Sequence, residues 1–235
     1  ITAPNLVLAG IVGSGKSSLA KSLYTRSIPF GRRVYVPGDP KGEWAALTHA
    51  VGGTVIRLAP GSSTRLNPLD NHDPSRGTAS GSAVLAAVAE TLLARRLQPA
   101  EHSALDAALT AARTTATLPL VIDALTRPDT VAAQRDGITA EQRSTDGREL
   151  AHALRRLTRG DLAGLFDAPS THRLDPAAPM VVLDLSALGS DDTALGIAMT
   201  CASAWLESAI TTTSTGGPRW VVYDEAWRLL RWAPL

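Results

Sequence analysis

Aromatic residues make up only 4% of the 235-residue chain, so a core has to be assembled from Ala, Val, Leu and Ile. Cysteine is almost missing. Cys201 stands alone, which excludes an intrachain disulfide and is compatible with a reducing compartment. Its surroundings, "GIAMTCASAWLE", form an apolar helix-like run, the setting of a buried structural thiol rather than a reactive one. Charged residues stand at 19%, below the usual share of roughly a quarter. The net charge of +1 gives no support to strong non-specific nucleic-acid binding, although it leaves room for a local patch. No apolar run is long enough to span a membrane. A glycine-rich loop interrupts the N-terminal apolar run and no basic region precedes it, which excludes a signal peptide. The first residue is not Met and the chain starts directly on a predicted strand, so the sequence reads as a piece of a longer protein.

What the chain has is a hydrophobic content of 44%, enough for one domain or a domain carrying an insertion. The run "NLVLA" (5–9), bounded by Pro4 and Gly10, has the pattern of a strand buried on both faces of a parallel sheet. A glycine-rich turn and a helical pattern follow, then the short β-branched runs "RRVYVPG" and "GTVIRLAP", with "GEWAALTHAVG" between them as a helix closed by Gly52. This alternation predicts a mainly parallel α/β sheet. Residues 70–82 read as a polar loop, and segments 83–97, 100–115, 118–126 and 147–159 as helices; 129–145 is polar and interrupted, and reads as a loop. The α/β pattern resumes with a strand over 178–188, a helix over 191–213 and a last strand in "RWVVYDE" (219–225). The expected organisation is a core over 1–70, an all-helical insertion over 71–160 and the rest of the core over 161–235.

Residues 10–17, "GIVGSGKS", match the phosphate-binding pattern G-x-x-x-x-G-K-[ST]. Glycines let the backbone curl so that several N–H groups point at one phosphate cluster, and the following helix offers its positive end to the same anion. Gly10, Gly13, Ser14, Gly15 and Ser18 belong to this cradle. Lys16 reaches the β- and γ-phosphates, and the Ser17 hydroxyl is a ligand for Mg²⁺. The competing reading is a glycine-rich turn with an ordinary surface lysine. Such a loop needs an acidic strand end as its counterpart. Asp224, after the apolar "WVVY", is the candidate to hold Mg²⁺, and Glu225 to polarise an attacking water; the plainer reading is two solvated acids at the start of the helix "AWRLL". Asp184 also closes a strand, but Leu185 stands where a glutamate would be needed, which favours a structural or supporting role. "PGDPKGEW" (37–44) closes the second strand, so Asp39 and Glu43 face either the nucleotide or a neighbouring subunit, or else Asp39 forms an Asx turn. His49, His72, His102, His152 and His172 have no metal-ligand spacing, and no G-x-S-x-G elbow or Ser–His–Asp order supports hydrolase chemistry by a nucleophile.

Taken in order, "GIVGSGKSSLAKSL", "YVPGDPKGEW", "TRLNPLD", "AGLFDAPS", "VVLDLSAL" and "WVVYDEAWRLL" resemble the conjugative-transfer ATPases of type IV secretion systems. These are the TraC/TrbE-like proteins, subunit four of the VirB set, within the FtsK–HerA superfamily of P-loop NTPases. The resemblance implies a RecA-like core with a variable helical insertion, ATP and Mg²⁺ as ligands, and a homo-oligomer, a hexamer in the family. Secretion-channel components are then the partners, DNA is at most an indirect one, and the site is cytoplasmic at the inner face of the cell membrane. By resemblance Lys16 and Ser17 form the nucleotide-binding pair, Asp224 is the Mg²⁺-linked aspartate, Glu225 is the catalytic glutamate, and Asp39 and Glu43 form the acidic motif after the second strand. The family's sensor residue and arginine finger lie beyond Leu235, so the chain by itself is expected to hydrolyse ATP poorly. Two rival readings are a HerA/FtsK-like DNA translocase or coupling protein, and a non-catalytic scaffold whose assembly depends on nucleotide.

Overall fold

The computed structural model describes residues 5–11, 13–70, 79–112, 116–160, 162–175, 177–189, 191–212 and 217–226. Its frame is a parallel sheet of β1 (Arg33–Asp39), β2 (Thr54–Arg57), β3 (Met180–Asp184) and β4 (Arg219–Val221), in the spatial order β2-β3-β1-β4. Strands β1 and β3 are buried on both faces because their side chains alternate between two apolar layers. Val34, Val36, Met180 and Val182 point to one layer, and Tyr35, Val181 and Leu183 to the other. Each such aliphatic side chain contributes on the order of 1.5–3 kcal/mol when fully buried.

On the first face lie α1 (Lys16–Ser27) and α2 (Ala45–Ala50), where Ala20, Tyr24 and Trp44 pack against Val34, Val36, Met180, Val182 and Val222. On the second lies α9 (Asp192–Thr212), apolar nearly all round because it sits between the sheet and a layer of further helices. Gly38 lets it approach: a Cβ there would stand 2.8 Å from Met199 Cγ. The outer layer comprises α3 (Ala79–Leu93), α4 (Pro99–Ala112), α5 (Leu118–Thr126), α6 (Thr130–Arg135), α7 (Ala140–Asp146) and α8 (Arg148–Arg159). Leu105, Leu118, Leu150 and Leu154 from this layer join Leu183, Met199 and Trp205 in one continuous apolar cluster. The helical stretch therefore shares its core with the sheet.

Three sequence expectations are corrected. Residues 5–9 form no strand: Leu6 and Val7 are exposed and only Leu8 packs against the first face. An apolar run becomes a strand only where a ladder receives it, and no described strand pairs with it. Residues 129–145 are not a loop but hold α6 and α7. Each helix begins on a side-chain cap, from Asp129 to the Ala132 N–H at 2.8 Å and from Thr139 to the Gln142 N–H at 3.0 Å. The third helical run starts earlier than expected, at Ala79, and stops at Leu93, where Ala94 takes a left-handed φ of 52°. The expected loop over 70–82 falls mostly on residues outside the described set, as does the helix "AWRLL".

Candidate nucleotide-binding site

The glycine-rich turn leads into α1 with Gly13 at φ 80° and Gly15 at φ 83°, conformations open to glycine and strained for any other residue. The N-cap of α1 is Gly15, which has no side chain to cap it, and the first turn of the helix holds no acid. The helix end thus keeps its positive partial charge and its N–H donors for an external anion. Lys16 folds back over the turn, its Nζ donating to the carbonyls of Gly10 at 2.6 Å and Ile11 at 2.8 Å. A Cβ at Gly10 would stand 2.7 Å from Ser14 Oγ, so a side chain there would turn the serine hydroxyl aside. Ser17 is half-buried and Ser18 exposed.

The direction of α1 follows from its contacts. Tyr24 packs against Trp220 with ring centroids 5.3 Å apart and planes tilted by 55°, and Trp220 is level with Val34, near the start of β1. Lys21, nearly one turn earlier in α1, pairs with Glu43 at 2.8 Å, beyond the carboxyl end of β1. Helix α1 therefore runs antiparallel to the strands, and Ser17 stands one further turn towards the carboxyl edge, about 6 Å along the axis from Lys21.

The acid doublet lies at that same edge. Asp224 and Glu225 follow β4, whose neighbour β1 runs parallel, so the loop after β1 and the turn after β4 stand side by side. The loop makes direct contact with both acids. The Trp44 indole donates from Nε1 to Asp224 Oδ2 at 3.1 Å, and Lys41 Nζ hydrogen-bonds and ion-pairs with Glu225 Oε1. Lys21 of α1 lies 5.7 Å above the Trp44 ring. A chain of contacts thus runs from α1 through Trp44 to Asp224. Glu225 has a left-handed φ of 55°, uncommon for a residue with a side chain, and its N–H donates to Asp224 Oδ1 at 3.1 Å.

Asp39 is placed differently from Glu43. It is buried, with Oδ1 accepting from the Lys41 N–H at 3.2 Å and Oδ2 from the Trp44 N–H at 2.8 Å, the Asx-turn arrangement. Both oxygens are turned into the loop. Burial pushes its carboxyl above the ordinary value, against the backbone N–H groups that favour the ionised form, and the nearby Asp184 charge adds to the rise. Glu43 is exposed, and its hydrogen bond to Lys21 holds it below the ordinary value. The hydrogen bond to Glu225 raises the Lys41 ammonium above its ordinary value. Asp184 is buried and accepts from the Ser186 N–H at 2.9 Å, shaping the turn that follows β3.

The sequence reading passed over Lys41 and Trp44. The available signal was a lysine and a tryptophan set among the acids of "DPKGEW", at the edge where a parallel sheet presents its ligand crevice. Among the described residues no group of three or more His, Cys, Asp or Glu could hold a metal ion by itself. Mg²⁺ at nucleotide sites takes only one or two protein oxygens and completes its shell with phosphate and water, a donor set that Ser17 and Asp224 fit. Among the described residues no helix is long and apolar enough to cross a membrane.

No family model matches the sequence, and no curated protein matches it in sequence. Among solved structures the chain is similar to VirB4 of Thermoanaerobacter pseudethanolicus, with a TM-score of 0.65 and 20% identity, covering 91% of this chain and 82% of that one. The chain thus has the P-loop NTPase-like α/β fold that VirB4 has.

Proposed function

We propose that the chain is the ATP-binding motor module of a type IV secretion ATPase, which hydrolyses ATP in its assembled homo-oligomer to power pilus biogenesis and the transfer of substrate or DNA. The observation that carries this reading is the loop 39–44, which touches α1 through Glu43 and the acid doublet through Lys41 and Trp44. It brings the phosphate-binding helix and the two acids to one edge of one sheet. The fold shared with VirB4 supports the same reading.

In this site the N–H groups of Gly13, Gly15, Lys16 and Ser17 receive the phosphates, and Lys16 exchanges its carbonyl partners for them. The Ser17 hydroxyl and Asp224 hold Mg²⁺, which neutralises phosphate charge when bound. Glu225 orients the attacking water and accepts its proton. Catalysis is then mostly positioning and charge stabilisation. Gly10, Ser14 and Ser18 complete the loop, Asp39 shapes the neighbouring turn, and Glu43 fixes α1 through Lys21. The oligomer, a hexamer in this reading, works with other secretion-channel components at the cytoplasmic face of the membrane.

The test is Glu225→Gln in the full-length protein. Turnover is expected to fall about 10²–10⁴-fold, the usual worth of a positioned general base, with ATP binding retained. Unchanged turnover would contradict the assignment. Wild-type protein that binds ATP without ever hydrolysing it would favour the scaffold.

A further inference from the structure

The loop after β1 contains a lysine and a tryptophan whose polar atoms both end on the acid doublet, and the reading above gives neither a role. The loop is built to hold them. Asp39, 2% exposed, uses one carboxylate oxygen on the Lys41 N–H and the other on the Trp44 N–H. Gly42, between them, has a φ of 69°, and a Cβ there would lie 3.2 Å from Ser186 Oγ, so the loop is also fitted against the turn after β3. Trp44 is fully buried, and its carbonyl accepts from Thr48 Oγ1 at 2.8 Å. Both loop residues therefore project from a backbone pinned on two sides.

The doublet they meet has two difficulties of its own. Adjacent carboxylates repel, and Glu225 carries a side chain in the left-handed region, where a residue persists only if its surroundings hold it. A cation on the second acid and a neutral donor on the first answer both. Lys41 supplies the charge to Glu225, and Trp44 supplies a directed N–H to Asp224 without competing as a cation for the metal.

We propose that Lys41 is a positioning residue for Glu225, holding the carboxylate in the orientation from which it addresses the attacking water, while Trp44 fixes Asp224 beside it. This rests on the assignment of Glu225 as the catalytic carboxylate. Lys41 acts through Glu225 and contributes little to the binding of ATP, because its ammonium is engaged with the acid and not with the phosphate-binding turn, which Lys16 serves.

The experiment compares Lys41→Met and Lys41→Arg in the full-length oligomer, each with and without Glu225→Gln, by steady-state ATP hydrolysis. In the Glu225 background Lys41→Met is expected to lower kcat on the order of 10-fold or more, as loss of an orienting outer partner does, with KM for ATP little changed. Lys41→Arg is expected to restore most of the rate, since it keeps the charge and the donors. In the Glu225→Gln background Lys41→Met is expected to add no further loss, the signature of two residues acting as one unit. A rise in KM at constant kcat, an unchanged kcat, or losses that multiply across the two sites would each overturn the proposal. Full turnover in Glu225→Gln alone would instead bring down the catalytic assignment on which it stands.

Discussion

Trp44 and Asp224 are joined by a hydrogen bond of 3.1 Å from indole to carboxylate, although 180 positions separate them in the chain. The bond closes the gap between the loop after β1 and the turn after β4, neighbouring strands of the sheet. It also makes Trp44 separable into a packing part and a polar part.

Trp44→Phe keeps most of the buried ring and removes the N–H. Its cost in denaturant unfolding should be about 1.5–3 kcal/mol, the range for a hydrogen bond to a charged acceptor. Trp44→Ala also opens a cavity in a site that is fully buried, and should cost about 3–5 kcal/mol. A Trp44→Phe variant as stable as wild type would show that the bond to Asp224 contributes nothing beyond packing.

Glu101 ties the start of α4 to the end of α3. It accepts two hydrogen bonds from Arg95, at 2.7 and 2.8 Å, and one from the Gln98 N–H at 2.7 Å. The Arg95 guanidinium is the main cause that holds its carboxyl below the ordinary value, with burial opposing. A depressed folded-state value means that the stabilisation is complete above the unfolded chain's glutamate range, near about 4.3, and is lost as pH falls through the folded value. Glu101→Gln should therefore lower Tm at neutral pH, and the gap to wild type should narrow in acid. A gap that stayed constant down to strongly acidic pH would contradict this account of the ion pair.

Cys201 is fully buried in α9, and burial pushes its thiol up to about 12. A thiol-specific reagent should leave the native protein untouched at neutral pH and label one thiol per chain after denaturation, because the thiolate is the reactive form. Fast labelling of native protein would mean that α9 opens readily from the sheet.

Much of this architecture is legible along the chain because its signals are local. Apolar runs at β1 and β3 give strands, and "GSGKS" before a helical pattern marks the glycine-rich turn that leads into α1. The caps of α6 and α7 are equally local, and the Thr139 to Gln142 spacing is the capping-box pattern, yet the polarity of the segment hid them. Residues 5–9 show the converse, a strand pattern that no described ladder receives. Lys41 and Trp44 could not be paired with Asp224 and Glu225 from spacing, since their meeting depends on β1 and β4 being neighbours. Asp39 looked equally suited to a ligand or a turn. Only its two backbone hydrogen bonds distinguish the readings.

The central claim is that the glycine-rich turn and the acid doublet form one Mg²⁺-dependent nucleotide site, and titration calorimetry with ATP, with and without Mg²⁺, tests it most directly. Wild-type protein should bind ATP more tightly when Mg²⁺ is present. Lys16→Ala should weaken binding at least about 10-fold, a loss of roughly 1.4 kcal/mol. Asp224→Asn should keep binding without Mg²⁺ and lose the gain that Mg²⁺ brings. Equal affinities in wild type and Lys16→Ala, or a Mg²⁺ effect untouched by Asp224→Asn, would contradict the claim.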